Sequence, residues 1–193
     1  MKVAEEVMEI VKTVDFKNKL KQNILFVESV LNRDLQKRKF IEVYGWDKDV
    51  VEDMYSDYIR FLALIKTLKE FRINIPIVPN RYIDEFWHNH ILDTYQYAMD
   101  CEEIFGEYLH HFPYFGMRND EDREEWFKTA ELAQSIWKEC FGENLYGDLS
   151  KSADSYEIDK EFYGKLSKFY KEKKEKWAMG CSRCRTCRPS NCP

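Results

Sequence analysis

Residues Tyr82 to Met117 read YIDEFWHNHILDTYQYAMDCEEIFGEYLHHFPYFGM, and this stretch decides how the rest of the chain is interpreted. It opens after Asn80, a residue suited to cap a helix, and its apolar and aromatic positions recur at helical spacing as far as Ile104. A helix over about 81–104 is predicted. Phe105-Gly106 ends it, a short segment carries His110 and His111, and Pro113 with Gly116 makes a rigid aromatic loop. All four histidines, His88, His90, His110 and His111, fall within these residues, flanked by Asp84, Phe86, Trp87, Asp93 and Cys101. A side-chain site is expected here before anywhere else in the body of the chain.

Outward from this stretch the helical pattern continues on both sides. Val3, Val7, Ile10, Val11 and Val14, then Phe16, Leu20, Ile24, Val27 and Leu31, predict two helices or one bent one over the first 37 residues. After the Gly45-Trp46 break, Val50, Val51, Met54, Tyr55, Tyr58, Phe61, Leu62, Ile65 and Leu68 form the longest apolar stripe, predicting a helix over about 48–72. Ile73 to Pro79 holds two prolines and reads as a connector. Asn119, followed by Asp120, Glu121 and Asp122, starts a further helix, since carboxylates favour the positive N-terminal end. That helix is expected to bury Trp126, Thr129, Leu132, Ala133, Ile136, Trp137 and Cys140, and to stop at Phe141-Gly142. Residues 143–157 read as a loop and 158–177 as a last, lysine-rich helix.

The composition agrees with this pattern. A chain of 193 residues with 44% hydrophobic and 16% aromatic content can bury one sizeable core, and seven Gly and five Pro are few. An all-α domain of five or six helices over residues 1–178 is expected, followed by a flexible Cys-rich tail over 179–193. The net charge of −5, from 35 acidic and 30 basic residues, offers no broad positive field for nucleic acid or an anionic membrane. Acids interrupt the N-terminal apolar run, and no apolar stretch is long enough to span a bilayer. A cytoplasmic location follows as the expectation. Thiols stay reduced there, so clustered cysteines read as metal or reactive-thiol features. No Gly-rich phosphate loop, nucleophile elbow or dinucleotide fingerprint is present.

Several elements now carry a resemblance. They are Tyr58-Ile59-Arg60-Phe61-Leu62, Ile83-Asp84-Glu85-Phe86-Trp87-His88-Asn89-His90-Ile91-Leu92-Asp93-Thr94, Tyr97, Asp100-Cys101, Phe105-Gly106 and Leu109-His110-His111-Phe112-Pro113-Tyr114-Phe115-Gly116. Over about 46–142 the chain resembles the bacterial branch of the glycine-rich domain-containing protein-like family, through its W-H-x-H and H-H-x-P elements in order. The resemblance implies an α-helical domain and little settled chemistry. Where a Gly-rich ending is expected of relatives, this chain ends in Cys, Arg and Pro.

Geometry limits what the histidines can do. On a straight helix His88 and His90 stand about 200° apart, so one ion cannot take both. His90, Thr94, Tyr97 and Cys101 share a face, but His90 and Cys101 are then about 16 Å apart along the axis, which makes Cys101 a packing residue. Two sets survive: His88 with Asp84, or His90 with Asp93 or Thr94, each completed by His110 or His111 folding back. Zinc or iron would accept such nitrogen and oxygen ligands. The competing reading makes the histidines and Trp87 core residues that fix the Pro113 loop, and the absent i, i+3 or i, i+4 histidine pair weighs toward it. An enzyme would need more, with Asp84, Glu85 or Asp93 as base beside a metal-bound water. No recognised catalytic signature supports that step.

The ending CSRCRTCRPSNCP places Cys181, Cys184, Cys187 and Cys192 in a C-x2-C-x2-C-x4-C array. Three close thiols can wrap one soft ion, and Arg183, Arg185 and Arg188 favour thiolate. The array resembles the bacterial ferredoxin motif with its last spacing one residue longer. Because no second cysteine set is present, zinc or copper(I) ranks above an iron–sulfur cluster. The same segment also suits a precursor or substrate tail altered by a modifying enzyme, or an inert tail. The function expected is a binding or carrier protein whose tail handles a soft metal ion, with the modified precursor and a metal-dependent enzyme at the histidines as alternatives.

Overall fold

In the computed structural model, residues 2–31 and 33–146 are described. Seven α-helices and one π-helical turn are found among them, and no strand: α1 Lys2–Val11, α2 Val14–Val30, α3 Asp34–Arg38, the π-turn Lys39–Val43, α4 Lys48–Glu70, α5 Arg81–Leu92, α6 Thr94–Phe105 and α7 Asp120–Phe141. The all-α class holds. The count of five or six does not, partly because α3 and the π-turn occupy a polar run that has too few apolar positions to show a period. The helix expected over 158–177 and the cysteines of 181–193 lie outside the described residues.

Helix α4 is the axis of the core. Val51, Met54, Tyr58, Phe61, Leu62, Leu64 and Leu68 are all buried along it, because α2 covers one side and α5 the other. Each fully buried aliphatic or aromatic side chain contributes roughly 1.5–3 kcal/mol relative to exposure, so this double-sided helix dominates the hydrophobic term. One polar contact is built into its α2 face: Asn23 Nδ2 donates to Thr67 Oγ1 at 2.9 Å, satisfying two buried groups at once. Phe86 of α5 completes the opposite side, stacking on Phe40 with centroids 5.3 Å apart and tilting against Tyr58 at the same distance.

The helix ends follow the expected chemistry. Asp47 caps α4, accepting from Asp49 N at 2.8 Å, while Asn80 caps α5 through Ile83 N at 2.9 Å. Asn119 caps α7 through Asp122 N at 2.8 Å. Gly106 and Gly142 close α6 and α7 at φ 69° and 78°, a conformation that glycine adopts without strain. Along α7 the expected burial holds for Thr129, Ala133, Ile136 and Trp137, whereas Trp126, Leu132 and Cys140 are half-buried.

One correction bears directly on the site. The single helix expected over 81–104 is two, broken at Asp93, whose ψ of 68° leaves the helical region. Asp93 N–H still bonds back to His90 O at 3.1 Å, and Asp93 O already accepts Tyr97 N at 2.8 Å, so the residue closes one helix and opens the next. Asp and Thr at 93 and 94 favour such a junction because their short polar side chains compete with helical bonding. The bend folds α6 against α5. The straight-helix distance between His90 and Cys101 therefore does not apply, although Cys101 is buried as a packing residue.

Candidate metal centre

The four histidines divide into an interior one, two that share a notch with a carboxylate, and one exposed. Asp84 lies in the first turn of α5 and His88 one turn later on the same face, with His88 Nδ1 3.6 Å from Asp84 Oδ2. His111 arrives from the segment after α6 and brings Nε2 to 2.8 Å from Asp84 Oδ1. The two imidazole rings stand 4.6 Å apart between centroids. One ligand atom from each of the three residues can be chosen so that all lie within 4.8 Å of one another. Of the two surviving sets, the structure assembles the first, with His111 folding back.

The donor set fits a first-row divalent ion. Zinc and iron bond nitrogen and carboxylate oxygen at about 2.0–2.2 Å, which asks ligand atoms to stand roughly 3 to 3.5 Å apart, so rotamer adjustments of about an ångström suffice. The notch is partly open: the Asp84 and His88 side chains are 33% and 43% exposed, against 12% for His111. An ion held there by three protein ligands keeps positions free for water or another ligand. The His111–Asp84 hydrogen bond joins the loop to α5, with His88 3.6 Å from the other carboxylate oxygen.

His111 owes its place to contacts on three sides. Gly106 turns the chain at the end of α6, where Lys66 Nζ donates to Ile104 O at 2.9 Å and Lys69 pairs with Glu107. Trp87 Nε1–H donates to Tyr97 Oη at 2.8 Å, and Tyr97 O–H in turn donates to Leu109 O, two residues before His111. The Trp87 ring meets the His111 ring edge-on at 4.4 Å. Beyond the aromatic loop, Asp122 of α7 accepts from Gly116 N at 2.7 Å and from Arg118 N at 3.1 Å. The Arg118 guanidinium also grips Asp122 and holds its carboxyl down to about 2. Gly116 has φ 84°, and a Cβ there would stand 2.9 Å from Trp126, so only glycine passes this turn without displacement.

His90 faces away from the notch and is 1% exposed. Its Nδ1 lies 2.7 Å from Tyr58 Oη and its Nε2 3.0 Å from Asp100 Oδ2, while Arg33 reaches both Asp100 and the ring from the α2–α3 connection. Gln96 Nε2 adds a bond to Asp100 Oδ1 at 2.8 Å. Nδ1 of the neutral ring pairs with the Tyr58 hydroxyl, whereas Nε2 faces both Arg33 and Asp100 and can either accept from the guanidinium or donate to the carboxylate. The alternative pairing of His90 with Asp93 or Thr94 is not formed, since both are exposed. His110 is exposed too, its ring 4.9 Å from that of Tyr108. The described thiols are unreactive by environment: burial raises Cys101, and it pushes Cys140 up to about 12. Burial likewise raises Glu85 beside His88.

Burial, and next the charge of Arg33, lower the His90 pKa to about 3. Arg33, Asp100, Tyr58 and Tyr97 all face the ring. The unfolded chain titrates near 6.5 and so takes up the proton first; this contribution is full above pH 6.5 and is lost as pH falls toward 3. Between pH 6.5 and 4.5 the native chain is expected to lose about 2 kcal/mol through His90 alone. Urea unfolding across that range, compared with His90→Gln, checks this. Equal slopes in the two proteins would show that His90 charges inside the fold.

Sequence reasoning missed Arg33, Tyr58 and Asp100 as partners of His90, and Tyr97 as the link to Leu109. A buried arginine has no local sequence signal. Asp100 comes ten residues after His90, a separation that a straight helix does not bridge.

The family model described as UCP032817-like matches residues 9–147, which hold every residue of the notch. Glycine-rich domain-containing protein 2 of Arabidopsis thaliana is 32% identical over 106 residues, covering 52% of this chain and 13% of that protein. The chain thus spans a small part of that relative's length. No solved structure matches. The family expected from the W-H-x-H and H-H-x-P elements is supported by both matches, and its bacterial branch stays an expectation.

Proposed function

Since the chain belongs to the UCP032817-like family and resembles the glycine-rich domain-containing proteins, we propose that its helical body is a metal-binding module that holds zinc or iron on Asp84, His88 and His111. The observation that carries this is the convergence of one carboxylate and two imidazoles from separate elements, with ligand atoms within 4.8 Å, in a partly open notch. A binding or carrier role is preferred to catalysis. Both Asp84 oxygens are directed at imidazoles, which makes Asp84 a ligand rather than a free general base.

The cysteine array is proposed as a second, softer site for zinc or copper(I) on Cys181, Cys184, Cys187 and Cys192, supported by its C-x2-C-x2-C spacing and neighbouring arginines. If a modifying enzyme acts there instead, intact-mass measurement of protein from its native host would find an altered tail. A cytoplasmic location suits reduced cysteines. No helix among the described residues is long and apolar enough to cross a membrane.

The two sites are separated by substituting the four tail cysteines with Ser in the full chain. Loaded with zinc, or with iron(II) under anaerobic conditions, and then desalted without chelator, this protein is expected to retain about one equivalent. His88→Ala or His111→Ala in the same background should weaken binding at least tenfold, because two ligands do not hold a divalent ion tightly. Retention below a tenth of an equivalent in the tail-substituted protein ends the metal reading of the body.

A further inference from the structure

The proposed centre has one flaw as a preformed site: its third ligand sits on a loop. Asp84 and His88 are fixed by α5, but His111 follows a segment of irregular backbone between Gly106 and the aromatic loop. What holds that segment decides whether the ligand set exists before an ion arrives. The hydroxyl of Tyr97 ties the segment's backbone to α5 and α6, accepting Trp87 Nε1–H at 2.8 Å and donating to Leu109 O, while the Leu109 N–H meets the thiol of Cys101. Tyr97 is 1% exposed and its ring is fixed independently, edge-on to His90 at 4.7 Å and to Tyr108 at 5.1 Å.

We propose that Tyr97 is the positioning residue of the centre, its hydroxyl joining the Trp87 indole to the Leu109 carbonyl and so holding His111 against Asp84 and His88. The inference rests on the metal reading for its function, but the positioning itself belongs to the metal-free chain. The hydroxyl is suited to the task because it bridges a donor that has no acceptor capacity and an acceptor that has no donor, both inside the fold. A phenylalanine cannot do so, although it fills the same space. The Trp87 indole is the wall against which the His111 ring rests at 4.4 Å, so one hydrogen-bonded chain orients both the wall and the loop. Outer groups of this kind typically tune metal affinity by about 10 to 100 fold without touching the ion.

Tyr97→Phe, in the full chain with the tail cysteines replaced by Ser, tests this in two arms. In the metal-free protein, proton NMR of the His111 ring reports its place against Trp87 through the indole ring current. Loss of that displacement in Tyr97→Phe, with helical content retained, is expected; an unchanged His111 shift overturns the proposal whether or not any metal binds. In the metal arm, zinc affinity should fall about 10 to 100 fold. The loss should disappear when His111 is already Ala and persist when His88 is Ala, because Tyr97 acts through His111 alone. A loss of equal size in the His111→Ala background would make Tyr97 a general packing residue. Tyr108→Phe, which removes a neighbouring hydroxyl from a ring that packs on Tyr97, should change neither measurement. An unsubstituted protein that binds no metal while Tyr97→Phe still releases His111 would end the metal reading and leave the positioning intact.

Discussion

Asp100→Ala is expected to destabilise the protein by about 3 to 5 kcal/mol, the cost of leaving a buried charge without its partner. Arg33 and Asp100 are 4% and 3% exposed, and they meet in the interior with His90 and Gln96 completing the carboxylate's bonds. Removing the carboxylate leaves the guanidinium away from water, with its Nε already lacking a hydrogen-bond partner. The His90 ring loses the carboxylate beside its Nε2 in the same step. By contrast, the exposed Arg38–Glu42 pair at i, i+4 should contribute no more than about 0.5 kcal/mol, because water screens it and both side chains give up rotamer freedom to form it. Urea unfolding of Asp100→Ala and Glu42→Ala at pH 7 sets the two side by side. A loss below 1 kcal/mol for Asp100→Ala would mean that Arg33 swings out to solvent and that the pair is not an interior anchor. The double variant Arg33→Met with Asp100→Leu should recover part of the loss, since no uncompensated charge then remains.

What could be read beforehand is divided by the range of the interactions. Helix α4 was legible because its burial depends on a repeat within one segment, and Asn80, Asn119, Gly106 and Gly142 were legible because capping is decided within three or four residues. The exclusion of a shared ion for His88 and His90 survives for the same reason: neighbours at i and i+2 face different ways, and here one faces the core and the other the notch. The break at Asp93 was illegible. Residues on both sides keep a helical spacing, and the bend is rewarded by contacts such as those of Trp87 and His90 with Tyr97 and of His90 with Asp100. Those contacts cross between helices, so no repeat announces them. Arg33 lies 57 residues from His90 along the chain, and a lone arginine in a polar run looks like any solvated one.

Trp87→Ala is expected to lower stability by about 3 to 5 kcal/mol, which places this indole with the Arg33 and Asp100 pair among the costliest single losses in the fold. The side chain is 6% exposed and lies between the core and the notch, tilted against Phe61 with centroids 5.3 Å apart on one side and touching His111 on the other. Phe61 is held on α4 and cannot follow the missing ring, so a cavity remains. Trp87→Phe keeps most of the volume but removes Nε1–H, and should cost less, about 1 to 2 kcal/mol, since Tyr97 still has Leu109 O as its acceptor. Chemical denaturation gives both values. A loss under 1 kcal/mol for the alanine variant would mean that solvent or the loop fills the space and that Trp87 is no wall. Because the same ring orients His111, the alanine variant should also weaken zinc binding in the tail-substituted chain. The phenylalanine variant separates packing from orientation: if stability largely survives while affinity falls, the indole N–H matters to the centre through Tyr97, and if both survive, the ring face alone is enough to seat His111.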